Sequence, residues 1–70
     1  MNIKNQTNLA ESTLEAVKEH NLFRINCICD TLRFQLGMDY FEIQAWFKTY
    51  ADLEPDDFED LMQDIDSVNN

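Results

Sequence analysis

The stretch from Leu36 to Tyr50, LGMDYFEIQAWFKTY, constrains the fold more than any other part of this sequence. It holds the only glycine, the only tryptophan and five of the eight aromatic residues of the 70-residue chain. Gly37 suits the left-handed stop that follows a helix, and Asp39 with Glu42 three residues later is typical of a capping box that starts one. The stretch therefore predicts a tight junction between two helices, the second of them rich in aromatic residues.

The rest of the chain has the three- and four-residue apolar spacing of short amphipathic helices, and no segment reads as a strand. Pro55 suits the first turn of a helix and marks the start of the last one. These signals predict an all-α bundle of four short helices, at about 8–20, 22–36, 39–51 and 55–66. They place a single helical domain at 8–66, a disordered N-terminus at 1–7 and a polar tail at 67–70.

The boundary between the first two helices is the least constrained. His20 and Asn21 can end one helix and cap the next. Because neither glycine nor proline forces a break there, one long helix from about residue 9 to about residue 35 is the alternative. We predict the break.

The predicted core follows from the apolar stripes of these helices. The central pair is expected to pack through Ile25, Ile28, Leu32, Leu36, Ile43, Trp46 and Phe47. The outer helices are expected to contribute Leu14, Val17, Phe58, Leu61, Met62 and Ile65. Four aromatic residues lie off the main stripes: Phe23, Phe34, Phe41 and Trp46. Some of them are expected to be exposed and to suit a protein-binding surface. For any one of them, however, we favour burial, either in the core where the helices cross or in a homodimer.

The charge of the chain bears on its partners. Fourteen acidic residues against five basic ones give a formal net charge of −9. This balance opposes direct binding to nucleic acid and to anionic membranes, and it favours a basic protein surface as the partner.

The N-terminus lacks the apolar run of a signal peptide, and no segment is long enough to span a membrane. Cys27 and Cys29 cannot pair with each other on one helix and are expected to be buried, reduced thiols of a cytoplasmic protein.

No pattern of catalytic or metal-binding residues emerges. The chain has one histidine, His20, and one glycine, so it offers neither a zinc set nor a phosphate-binding loop. Asp52, Glu54 and Asp56 have part of the spacing of a calcium loop, but Asp57 stands where that loop requires glycine. The sequence therefore predicts a protein that is not an enzyme and uses no cofactor or metal.

The segment LRFQLGMDYFEIQAWF resembles the turn and second helix of helix-turn-helix proteins, and IQAWF within it is similar to the third-helix core of homeodomains. The resemblance implies a small transcription regulator or accessory factor, alone or as a dimer. The helix carries a single base, Lys48, and it begins with Asp39 and Glu42, whose charge opposes phosphate contacts. It also lacks the asparagine and arginines with which homeodomains contact DNA. We keep this function as the second hypothesis.

The segment 52–66 contains eight acidic residues and no base. In size and charge the chain resembles the small acidic proteins that mimic DNA, many of which phages encode to inhibit host enzymes. Our leading hypothesis is that this chain is a non-catalytic binding protein. It would bind the basic surface of a nucleic-acid-binding host protein and thereby inhibit that protein. The predicted binding residues are Asp52, Glu54, Asp56, Asp57, Glu59, Asp60 and Asp64, with Tyr40 and Phe41 as aromatic anchors. The alternative for these acids is a solvated helix face that keeps the protein soluble.

Overall fold

The computed structural model describes the backbone of residues 3–69 and the side chains of residues 8–68. It confirms a compact all-α fold of four helices, and residues 3–69 contain no strand. The helices are α1 (Ile3–Lys18), α2 (Leu22–Asp30), α3 (Tyr40–Ala51) and α4 (Pro55–Asn69), and α2 continues directly into a π-helical turn at Thr31–Gln35. Within the described part of the chain, no helix has both the length and the hydropathy that crossing a membrane requires.

The helix bounds differ from the predicted ones mainly at the two ends of the chain. α1 begins at Ile3 rather than at residue 8, so helical backbone covers residues 3–7, which the sequence assigned to a disordered N-terminus. α4 continues to Asn69 across most of the predicted polar tail. No glycine or proline stops a helix in either segment, and polar residues fit the outer face of a helix. Residues 1, 2 and 70 lie outside the described residues.

The predicted break between α1 and α2 is confirmed, and two residues make it. His20 has a left-handed backbone with φ of 52°, and its N–H donates to the Val17 carbonyl at 3.1 Å. The Asn21 N–H donates to the Ala16 carbonyl at 3.0 Å, which completes the hydrogen-bond pair of a Schellman motif. The Asn21 side chain then accepts a hydrogen bond from the Arg24 N–H at 3.1 Å and caps α2.

Gly37 ends the second helix, as predicted, with a left-handed φ of 68°. The turn before it is wider than an α-helical one. The Leu36 N–H donates to the Thr31 carbonyl at 3.3 Å, and the Met38 N–H donates to the Leu32 carbonyl at 3.0 Å. The sequence did not predict this π-helical turn, because its apolar spacing also fits an α-helix.

The capping box at the start of α3 is confirmed. Asp39 Oδ1 accepts a hydrogen bond from the Glu42 N–H at 2.9 Å, and Glu42 Oε1 accepts one from the Asp39 N–H at 3.1 Å. At the other end of α3, Asp52 adopts a left-handed backbone with φ of 52°. The capping box thus marks where α3 begins, and the left-handed Asp52 marks where the chain turns toward α4.

The core lies around α2 and α3, with α1 and α4 each packed against both of them. The predicted core residues that are buried are Ile25, Ile28, Leu32, Ile43, Phe47, Phe58, Leu61 and Ile65. The predicted residues that are half-buried around them are Leu14, Val17, Leu36, Trp46 and Met62. Buried residues that the stripes did not predict are Thr13, Ala16, Cys29 and Ala51. The Phe47 and Phe58 rings pack at a centroid distance of 5.2 Å and join α3 to α4.

Candidate protein-binding surface

All of the acidic residues between positions 52 and 66 are exposed. We call this set the acidic segment: Asp52, Glu54, Asp56, Asp57, Glu59, Asp60, Asp64 and Asp66. Its only ion pairs among the described side chains involve Lys48, whose Nζ lies 2.6 Å from Glu54 Oε1 and 3.8 Å from Asp52 Oδ1. The six carboxylates on α4 itself have no such partner within residues 8–68.

Lys48 of α3 pairs with two acidic residues of the loop between α3 and α4, Asp52 and Glu54. Its hydrogen bond to Glu54, followed by the charges of Glu54 and Asp52, raises the pKa of Lys48 above its ordinary value. The ammonium group is therefore held against two carboxylates of its own chain. Since Lys48 is the only base on α3, a phosphate must compete with these carboxylates for the helix's one candidate phosphate contact.

Buried residues on one side of α4 determine where its acids point. Phe58, Leu61 and Ile65 are at most 6% exposed and hold that side in the core. On an α-helix of 3.6 residues per turn, the acids then fall into two groups on opposite flanks. Asp57, Asp60 and Asp64 share the flank that faces the end of α1, whereas Glu59 and Asp66 share the other, with Asp56 outermost.

A surface groove of about 230 Å³ runs between α4 and the end of α1. Apolar atoms of Val17, Leu53 and Leu61 contribute to it, and the acids of the near flank of α4 line it: Asp57, Asp60 and Asp64. His20 also lines the groove. Sequence reasoning predicted the acids as binding residues but missed the groove, because Val17 and Leu53 meet α4 only through the packing of the helices.

The predicted aromatic anchors differ in exposure. Phe41 is 74% exposed, whereas Tyr40 is 41% exposed. The Tyr40 ring packs edge-on against Phe58 of α4 at 5.6 Å and against Phe41 at 5.8 Å. Tyr40 therefore connects the start of α3 to α4, and Phe41 is the more exposed side chain of the pair.

Three of the four aromatic residues off the main stripes are exposed in the monomer, so the expected burial in the core applies only to Trp46. Phe23 and Phe34 are 80% and 74% exposed on the outer side of the second helix, and Trp46 is half-buried. Phe23 also lines a smaller groove with Leu22, Asn26, Ile65 and Val68. A homodimer that covers these residues stays a prediction.

The two cysteines have different environments. Cys29 is buried, and burial raises its pKa to about 11, so its thiol is neutral. Cys27 is exposed, and the expectation that it is buried was wrong, because the two side chains lie on opposite sides of α2. Among the described residues, no group of three or more histidine, cysteine or acidic side chains could hold a metal ion.

The candidate surface thus comprises six α4 carboxylates without an ion pair among residues 8–68 and an adjoining groove with an apolar part. The exposed Phe41 is joined to α4 through the Tyr40 ring. Such a combination is typical of protein recognition, in which charge guides the encounter and an aromatic residue anchors it.

The chain matches no protein-family model, no curated protein sequence and no solved structure.

Proposed function

We propose that this protein is a non-catalytic binding module that engages the basic surface of a nucleic-acid-binding protein and inhibits it. The observation that supports the proposal most directly is the set of exposed carboxylates on α4. Six carboxylates on this helix are exposed and form no ion pair with the described side chains. Their self-repulsion disfavours the compact fold, and a basic partner relieves it.

The position of these charges suits mimicry of nucleic acid. α4 is held by Phe58, Leu61 and Ile65, so its carboxylates stand on a fixed helical scaffold. A cleft that binds phosphates presents lysine and arginine side chains, which form charge-assisted hydrogen bonds with carboxylates as well. The acidic segment therefore occupies a phosphate-binding surface and keeps nucleic acid from it.

Phe41 supplies the apolar part of the contact. An exposed aromatic side chain that becomes buried contributes strongly to binding, whereas exposed charges mainly increase the association rate. Because the Tyr40 ring packs between Phe41 and Phe58, the anchor lies beside the acidic helix. A phage or another mobile element that acts on host machinery is a setting in which such an inhibitor is expected.

Direct DNA binding through α3 is the alternative. The order of helix, turn and helix agrees with the helix-turn-helix resemblance, but the start of α3 presents Asp39 and Glu42, and Lys48 is paired with Glu54. Contacts to phosphate from this helix therefore have to compete with Glu54 for its only base. The experiment below distinguishes the two functions.

The test is a pull-down from a host lysate with the purified protein, followed by mass spectrometry and competition with duplex DNA for the purified partner. We expect a basic partner, binding that weakens as salt increases, and displacement of the DNA. The triple variant Asp56→Lys/Asp57→Lys/Asp60→Lys should abolish binding. A matched control, Glu11→Lys/Glu19→Lys/Asp30→Lys, changes the net charge equally at exposed sites outside the acidic segment and should retain specific binding.

Two results would overturn the proposal. Equal loss of binding in both triple variants would show that net charge, and not the acidic segment, determines the interaction. Specific retention of duplex DNA by the protein alone at low salt would support the helix-turn-helix alternative instead.

A further inference from the structure

We propose that the groove between α1 and α4 receives one lysine or arginine side chain of the partner protein. The inference rests on the proposed function, because it specifies how the acidic helix holds a basic surface. Val17, Leu53 and Leu61 form the apolar part of this groove. Asp57, Asp60 and Asp64 of α4 form its charged part.

The apolar part fits the stem of such a side chain. Val17 and Leu53 are half-buried and Leu61 is buried, so the groove presents aliphatic atoms that are already fixed by the core. Lysine and arginine bury their methylene stems along apolar surface while they keep the charged group in water. A small polar cation without a stem leaves this part of the groove unused.

The charged part has the complementary sign. Asp57, Asp60 and Asp64 follow one flank of α4 at spacings of three and four residues, and each is exposed beside the groove. None of them forms an ion pair with the side chains of residues 8–68. His20, two residues after the end of α1, also lines the groove and forms no ion pair with the side chains of residues 8–68. A cation whose stem lies on the apolar part reaches these carboxylates.

The spacing of the carboxylates argues against a metal ion as the occupant. Among the described residues, neither these carboxylates nor His20 belongs to a group that could hold a metal ion. A metal needs its ligands within about 2.0–2.6 Å of one point. A guanidinium group distributes five N–H donors over a plane, and an ammonium on a flexible stem moves between acceptors, so both suit carboxylates that do not converge.

The test is an NMR titration of the ¹⁵N-labelled protein with N-acetyl-arginine methylamide at low salt. N-acetyl-citrulline methylamide, which has similar length but no charge, is the matched control. We expect saturable shifts of the amide signals of Val17, His20, Leu53 and Leu61 with the arginine compound, and much smaller shifts with the citrulline compound. Equal shifts with both compounds would overturn the proposal.

Paired variants locate the site on α4. Asp60→Asn/Asp64→Asn removes two charges at the groove, and Glu59→Gln/Asp66→Asn removes two charges from the opposite flank. The groove variant should weaken binding of the arginine compound by about threefold to tenfold, as expected for the loss of two exposed ion pairs. The opposite-flank variant should change it much less. All four side chains are exposed, and circular dichroism checks that both variants are folded.

The proposed function and the groove proposal can fail separately. If both paired variants bind the arginine compound equally, the groove proposal is wrong. Binding to the basic partner can still depend on the acidic segment in that case. If the groove binds arginine but the triple charge reversal leaves partner binding intact, the proposed function is wrong instead.

Discussion

The Trp46 indole Nε1–H donates a hydrogen bond to Thr13 Oγ1 at 3.0 Å and thereby joins α3 to α1. Thr13 is fully buried, and its hydroxyl donates in turn to the Leu9 carbonyl at 2.8 Å. Both polar side chains are therefore satisfied in a region that is otherwise apolar. The hydrogen bond also explains why Trp46, which lies off the main stripe of α3, turns toward the core.

Replacement of Thr13 by valine should destabilise the protein by about 1–3 kcal/mol. Valine has nearly the same shape, but it leaves the Trp46 indole N–H without its acceptor. Urea unfolding followed by circular dichroism measures the change. Thr13→Ser keeps the hydroxyl and serves as the control. In a double-mutant cycle with Trp46→Phe, additive effects of the two changes would show that the hydrogen bond contributes nothing.

The contrast between Thr13 and Gly37 shows which parts of the fold could be predicted from the sequence. Gly37, Asp39 and Pro55 act through bonds and dihedral angles within a few residues, so their roles follow from local chemistry. Burial of Thr13 depends on Trp46, which is 33 residues away in the chain. No local pattern reports such a pair.

The candidate surface also has one part that could be predicted from the sequence and one part that could not. Exposure of the acids on α4 could be predicted, because the stripe that includes Phe58, Leu61 and Ile65 leaves the other positions to solvent. The groove could not, because it requires Val17 of α1 and Leu53 of the loop before α4 to meet one flank of that helix. The direction in which helices cross depends on how all their side chains pack.

Replacement of His20 by glycine should stabilise the protein by about 0.5–1 kcal/mol. His20 has a left-handed φ of 52°, which costs a residue with a Cβ more than it costs glycine. This gain exceeds the extra entropy that glycine gives to the unfolded chain. Lys18→Gly, inside the last turn of α1, is the control and should destabilise the protein. A lower unfolding midpoint for His20→Gly would contradict the expected relief of strain.

Phe41 and Phe58 should respond differently to replacement by alanine. Phe58 is 1% exposed and packs against Phe47, so Phe58→Ala should cost about 3–5 kcal/mol and unfold much of a domain this small. Phe41 is 74% exposed, and Phe41→Ala should change the free energy of unfolding by less than about 0.5 kcal/mol. Thermal unfolding of both variants checks the contrast. Binding of Phe41→Ala to the isolated partner then tests the aromatic anchor, and unchanged affinity would exclude it.

The free energy of unfolding should decrease between about pH 9 and pH 11 because of Cys29. Burial raises the pKa of this thiol from its ordinary value of 9.0 to about 11, whereas in the unfolded chain it ionises at the ordinary value. Over this range the folded state keeps a proton that the unfolded state has lost, so rising pH favours unfolding. The full loss should be about 2–3 kcal/mol.

Urea unfolding at a series of pH values measures this effect as a difference between variants, so that contributions shared by the variants cancel. Cys29→Ala should not show the loss of stability that ionisation of Cys29 causes. Its free energy of unfolding relative to the wild type should therefore increase as the pH rises above 9. Cys27→Ala is the matched control, because it removes an exposed thiol from the same helix, and it should follow the wild type. Parallel curves for the wild type and Cys29→Ala would mean that the Cys29 thiolate is as well solvated in the folded state as in the unfolded chain.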